Sequence, residues 1–175
     1  MKDKVTKTNV TKAVTKKKTK EVTKVEEKDL PSRFLKKRPL LRNKTLVIGC
    51  GRLGASLANK ICKEGKNVLI VDKYKSSFES LDDSFSGYQI VGDVIDLNTL
   101  ENAYISSAQE IIITTGNDNV NIYLALLARE IYDVPSIYVR LDNPQMVCLL
   151  EDKDIEVILP FQLSFDKLDI VRGGK

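Results

Sequence analysis

The sequence predicts an α/β fold: a doubly wound parallel sheet of about six strands, preceded by a disordered basic tail. Three observations carry this. Six short runs rich in Val, Ile and Leu recur between residues 43 and 168, each nearly continuous in apolar character, as strands covered on both faces must be. Segments of about 14 to 22 residues separate them, long enough for the helices that return a parallel strand to the same edge. A glycine-rich loop follows the first run directly, where a strand would turn into a helix. With right-handed crossovers, few other arrangements of six such units exist.

The first 42 residues are of a different kind. They hold 15 Lys/Arg against 5 Asp/Glu, a balance of +10, whereas residues 43–175 carry 13 against 19, a balance of −6. Val-Thr-Lys recurs at 5–7, 10–12, 14–16 and 22–24 without fixed spacing, which is biased composition rather than a repeat fold. Weak helix formers and closely spaced lysines leave nothing able to bury a core, so disorder is expected. The tail is either a solvated extension or a polybasic arm for an anionic surface, worth about 1 kcal/mol per lysine near such a membrane. Leu30 to Leu41, with Pro31 and Pro39, reads as the linker into the domain.

No apolar stretch approaches the roughly 20 residues that span a bilayer, and the lysine-rich start lacks a signal-peptide core, so a cytoplasmic location is expected. Cys50, Cys62 and Cys148 are too widely spaced for a zinc site and too few for a disulfide framework. They read as buried thiols.

The elements follow in order. TLVI (45–48) is the first strand, and GCGRLG (49–54) is a GxGxxG loop. In that pattern Gly49 permits the tight turn, Gly51 lets a pyrophosphate approach the backbone, and Gly54 lets the next helix pack against the strand. The phosphates would meet the free amides and positive end of that helix, which stops near Glu64 at Gly65. NVLIV (67–71) is the second strand and ends at Asp72, about 20 residues beyond the glycines, where a carboxylate accepts hydrogen bonds from the adenosine ribose. Loop, helix, strand and acid together point to a Rossmann-like dinucleotide fold. Asp72 opposes a 2′-phosphate, although Lys73 and Lys75 stand close enough to offset it; alternatively Asp72 is a surface acid at a strand end. YQIV (88–91), EIIIT (110–114), SIYV (136–139) and IEVI (155–158) supply the remaining strands. The clearest helix is 119–132, with Val120, Tyr123, Leu124, Leu127, Ala128 and Ile131 at helical spacing and Asn117 or Asp118 as its cap.

The chain has no histidine, and neither a Ser-x-x-x-Lys nor a Tyr-x-x-x-Lys pair is present. A binding module rather than an enzyme is expected. The alternative is a small NAD-dependent oxidoreductase or dehydrogenase-like fragment; a redox-sensing nucleic-acid binder rests on the lysine tail alone.

Four motifs in order, GCGRLG, GDVIDLNTLENAYI (92–105), TTGNDNVNIYLALLAR (114–129) and YVRLDNP (138–144) with IEVILP (155–160), resemble the nucleotide-binding domain of the regulators of potassium conductance, the TrkA and KtrA type. The resemblance implies that the loop Gly49, Cys50, Gly51, Arg52, Leu53 and Gly54 holds phosphates, with Asp72 and Lys73 at the ribose. Gly92 and Asp93 would lie beside the adenine, and Thr114 and Thr115 would line the same crevice. It implies NAD(H) or ATP/ADP as ligand, with Arg52 reaching a terminal phosphate. It further implies a homo-oligomer, a dimer or higher ring, seated in the cytoplasm against a membrane-embedded potassium channel or transporter subunit. Anionic lipid contact through the tail fits that setting, and nucleic acid does not. Blander readings stand beside these: Arg52 facing solvent, Asp93 making a local capping bond, Asn119 and Asn121 as capping or solvated groups, and Arg140 in a structural ion pair. Many members continue into a crossing helix and a second ligand-binding domain. Here 169–175 reads as a short C-terminal tail, so hinge behaviour and ion binding by a second domain are not expected.

Overall fold

The computed structural model describes residues 44–173; the basic tail expected at 1–42 lies outside the described residues. Six strands form one sheet in the order β3-β2-β1-β4-β5-β6, every neighbouring pair parallel. They are β1 (Lys44–Ile48), β2 (Asn67–Asp72), β3 (Tyr88–Val91), β4 (Ala108–Ile113), β5 (Ser136–Arg140) and β6 (Glu156–Ile158). Each expected run lies on a strand, with ends differing by at most two residues. The chain builds outward from β1 through β2 to β3, returns to the far side of β1 with β4, and continues through β5 to β6. This is the doubly wound arrangement that the alternating runs predict.

Side-chain alternation along the strands splits the core in two. Leu46, Ile48, Leu69, Val71, Ile111 and Ile113 pack on one face with Leu100 of α2 (Leu97–Asn102) and Leu124 and Ala125 of α3 (Asp118–Glu130). Val47, Val68, Ile70 and Ile112 point the other way, onto Ala55, Ala58 and Ile61 of α1 (Arg52–Lys63) and onto Phe78. Each such Val, Leu, Ile or Phe side chain removed from water stabilises the fold by about 1.5–3 kcal/mol. β1, β2 and β4 are apolar at consecutive positions because both faces are covered, whereas the edge strands β3 and β6 leave most of their side chains partly or fully exposed, contrary to the uniform cover expected from their composition.

Local signals set the helix ends. Gly65, at φ +76°, turns the chain off α1, and its amide bonds the Cys62 carbonyl at 2.9 Å. The Asp96 carboxylate caps α2 by accepting from the Asn98 amide, and the Asn117 side chain caps α3 by accepting from the amides of Asn119 and Val120. Asp118, the other expected cap, instead accepts from the amides of Asp142 and Asn143, pinning the start of α3 to the loop after β5.

Two features lie beyond the expected elements. Lys44 opens β1 with only 1% of its surface exposed, its Nζ donating to the carbonyls of Ala103 (2.5 Å) and Tyr104 (3.3 Å) and standing 5.0 Å from the Tyr104 ring. Burial lowers its amine to about 8. The second feature is α4 (Pro160–Val171), which runs through the position where the domain was expected to end and has Phe161, Leu163, Phe165, Leu168, Ile170 and Val171 exposed.

Candidate functional site

The C-terminal ends of β1, β2, β4 and β5, with the loop that follows β3, surround a crevice of about 640 Å³. In a doubly wound sheet this is where neighbouring loops diverge and leave room for a ligand.

The three loop glycines are held for three different reasons. Gly49 sits at φ +96°, and a Cβ there would lie 2.9 Å from the backbone of Thr114. A Cβ on Gly54 would stand 1.9 Å from the Gly49 carbonyl oxygen, so α1 can approach β1 this closely only with glycine there. Gly51 differs: a Cβ on it would meet nothing within 4 Å. No packing requires glycine at 51, and the residue lines the crevice. It is also the N-cap of α1, with no side-chain acceptor for the first amides and no acid in the first turn. The first amides of the helix therefore face the crevice with no capping side chain, as a phosphate cradle requires.

The loop is tied to its neighbours by hydrogen bonds. The Gly49 amide donates to Val71 O (2.8 Å), and the Thr114 amide to Ile48 O (2.8 Å). The buried Thr114 hydroxyl reaches Ile48 O (3.2 Å) and Gly49 O (3.1 Å). The Cys50 amide donates to Asp72 Oδ2 at 2.7 Å, while Asp72 Oδ1 accepts from the Tyr74 amide and the Ser77 hydroxyl, both at 2.9 Å. Asp72 is thus a fixed acceptor at the crevice wall. The Cys50 thiol is buried beside it; burial and then the Asp72 charge push it up to about 11, which makes it a packing group rather than a nucleophile, whereas Cys62 is only half-buried and Cys148 is exposed, contrary to the burial expected of all three.

Gly49, Gly51, Arg52, Asp72, Lys73, Asp93, Thr114 and Thr115 all line the crevice. Cys50, Leu53, Gly54 and Gly92 are not part of that lining; Gly92 lies against Thr99 of α2, which a Cβ would approach to 2.6 Å. Lys73 Nζ donates to Asp93 Oδ2 at 3.0 Å, and Asp93 Oδ1 accepts from the Ile95 amide at 3.1 Å. The amide bond first and then Lys73 lower the Asp93 carboxyl; the same pair raises the Lys73 amine. Asp93 makes a local bond but does not cap the next helix, as the blander reading had it: the α2 cap is Asp96. Arg52 is exposed and, among the described residues, pairs with no carboxylate. Arg140 lines the crevice and grips Asp142 through two nitrogens, at 2.8–3.1 Å, the ion pair anticipated for it.

Sequence reasoning passed over Ser77 and Tyr74, whose donors hold Asp72, and the apolar wall at Val94 and Ile95. Asn121 differs most from expectation. It is fully buried, its amide donating to Thr115 O (3.0 Å) and Arg140 O (2.8 Å) while its oxygen accepts from the Thr115 hydroxyl. It clasps the end of β4 to the end of β5. An asparagine within an otherwise apolar helical stripe was the available signal.

Comparison with known proteins adds the following. The TrkA-N domain family matches residues 45–160. The Trk system potassium uptake protein TrkA of Streptomyces coelicolor is 29% identical over 123 residues, covering 70% of this chain and 55% of that protein. A TrkA homologue of Methanothermobacter thermautotrophicus is 33% identical over 99 residues, covering 57% of this chain and 45% of its own. The chain therefore spans about half the length of these curated relatives. Among solved structures, the NAD(P)-binding domain of an exopolyphosphatase-related protein from Archaeoglobus fulgidus superposes with TM-score 0.61 at 25% identity, covering 75% of this chain and 98% of that one. GsuK shares the fold at 23% identity with TM-score 0.64. Solved with ADP, it is covered over 35% of its chain and covers 76% of this one; as the channel with NAD, the shares are 24% and 79%.

Proposed function

Because the chain belongs to the TrkA-N domain family, we propose that it is the nucleotide-binding part of a regulatory subunit that governs a separate, membrane-embedded potassium channel or transporter. The observation that carries the reading is the open N-terminus of α1 above Gly51, standing beside the fixed acceptor Asp72 in one crevice. Those two features fit the two halves of an adenine nucleotide, phosphates at the helix end and ribose at the carboxylate. The ligand is NAD(H), ATP or ADP. Lys73, Asp93, Val94 and Ile95 would bound the adenosine, with Gly92 and Cys50 shaping the wall from behind. Thr114 and Thr115 would border the phosphates, and Arg52 is free to meet a terminal phosphate.

What such a subunit does with the nucleotide is change how it assembles. A ligand shifts a conformational equilibrium only by its difference in affinity for the two states, so the responsive element must touch both nucleotide and partner. Arg52 on α1 is placed for the first contact. The exposed apolar α4 offers a surface for the second, which supports a homo-oligomer acting at the cytoplasmic side of its membrane partner. No helix among the described residues is long and apolar enough to cross a membrane. The relatives named for the Trk potassium uptake system support the choice of partner.

The test is a thermal-stability titration of the full chain and of Asp72→Ala with NADH, NAD, ATP and ADP. A ligand at 100 times its Kd stabilises by about 2.7 kcal/mol. At least one of the four is expected to raise Tm in the wild type and to lose that effect in the variant, each protein being referenced to its own ligand-free Tm. Absence of any stabilisation of the wild type overturns the nucleotide site, and turnover of NADH with a carbonyl or hydroxy-acid substrate overturns the sensor reading in favour of an oxidoreductase.

A further inference from the structure

We infer that the Lys73–Asp93 ion pair sets the selectivity of the adenosine end of the crevice, making it accept a free ribose 2′-hydroxyl and reject a 2′-phosphate. The inference rests on the nucleotide reading above and deepens it from a class of ligand to a choice within that class.

An ionised carboxylate such as Asp72 offers about four lone-pair directions. Three are taken, by the Cys50 amide, the Tyr74 amide and the Ser77 hydroxyl. The remaining direction, on Oδ2, suits a hydroxyl donor and nothing anionic. A 2′-phosphate would need cations within reach, and Lys73, next in the chain to Asp72, is the obvious one. Its ammonium is instead held 3.0 Å from Asp93 Oδ2, across the gap between the ends of β2 and β3. Asp93 is itself anchored, with Oδ1 accepting from the Ile95 amide at 3.1 Å. The other cations are placed elsewhere: Arg52 at the start of α1, over the phosphate loop, Arg140 at the end of β5, paired with Asp142, and Lys75, exposed and outside the crevice lining.

The trio Asp72, Lys73 and Asp93 therefore carries a net single negative charge where the 2′ substituent would sit. Pulling Lys73 onto a phosphate would leave Asp93 bare beside a dianion, so the lysine that looks like an NADP determinant in the sequence is disarmed by its partner. The two members of the pair consequently act with opposite sign. Removing the Asp93 charge frees a cation, and removing Lys73 leaves two uncompensated acids. A purely structural role for the pair would change both nucleotides together.

The experiment measures the affinities of NADH against NADPH by fluorescence titration, and of ADP against its 2′-phosphorylated form by calorimetry, for the full-length wild type, Asp93→Asn and Lys73→Ala. Asparagine keeps an oxygen for the Ile95 amide, so the turn is retained. The wild type is expected to prefer the unphosphorylated member of whichever pair it binds. Asp93→Asn should narrow that preference about three- to tenfold by tightening the 2′-phosphate form, and Lys73→Ala should widen it by a similar factor, as befits single exposed charges. Both shifts should shrink as salt rises from about 0.05 to 0.5 M, because the pair is solvent-exposed. Equal wild-type affinity within a pair, or variants that leave the ratio unchanged, overturns the inference while leaving the nucleotide site standing. Failure of the wild type to bind any of the four overturns the inference, and the site falls with it when NAD and ATP also fail to bind.

Discussion

At the scale of single residues, the loop glycines separate fold from ligand. Gly54→Ala drives a methyl to within 1.9 Å of the Gly49 carbonyl, so α1 must move away from β1. Overpacking of this kind costs about 1–3 kcal/mol or more. Gly51→Ala meets no protein atom and keeps an allowed backbone at φ −75°, so it should cost no more than the roughly 1 kcal/mol of a poorer N-cap while its nucleotide-induced rise in Tm falls sharply. Chemical denaturation with and without ligand reads both numbers. A Gly51→Ala protein that binds as well as wild type would remove the phosphate role of the loop. The sequence pattern assigned the three roles from spacing alone. The geometry distinguishes them, because only Gly51 lacks a packing reason to be glycine.

Lys44 illustrates the scale of the element, since it joins the start of β1 to the carbonyls that end the α2 region. Its folded value of about 8 lies below the 10.5 of a free lysine. Between those values the unfolded chain holds a proton that the folded chain has released, so this group makes stability rise with pH through that window. The stability of wild type minus that of Lys44→Met should therefore climb between pH 8 and 10.5, by at most about 3 kcal/mol, in paired urea titrations. A flat or falling difference would contradict the assignment. Lys44 was illegible in the sequence because lysine at a strand start normally faces water; only the fold reveals that two carbonyls await it. Strand positions were legible for the opposite reason, namely that continuous runs such as Leu46–Ile48 and Ile111–Ile113 admit few structures other than a doubly covered strand. Side-chain ties between elements, such as Asn121 to Arg140 O or Ser77 to Asp72, leave no periodic trace and needed coordinates.

For the whole molecule, α4 is the element whose apolar side chains stay open to solvent. Phe161, Phe165 and Leu168 fall at i, i+4 and i+7 on one side, and Leu163 and Ile170 at i and i+7 on another, all exposed. A helix apolar on more than one side is ordinarily buried. A second copy of the chain is the partner that the proposed subunit supplies. Light scattering should find the wild type oligomeric at tens of micromolar and the triple variant Phe161→Ser, Phe165→Ser, Leu168→Ser smaller, with Tm hardly changed, because these side chains lie outside both core clusters. A wild type that is monomeric under those conditions would assign α4 to a different partner.

The strand order also has a consequence for how the chain comes off the ribosome. Among the described strands β1 is the first synthesised, yet it lies between β2 and β4, and its β4 partners run from Ala108 to Ile113. Until that stretch emerges, one edge of the central strand has no neighbour, and the apolar face that α3 will cover is open as well. The nascent chain is thus most exposed to misassociation between completion of β3 and arrival of β4, an interval set by topology rather than by the strength of any one contact.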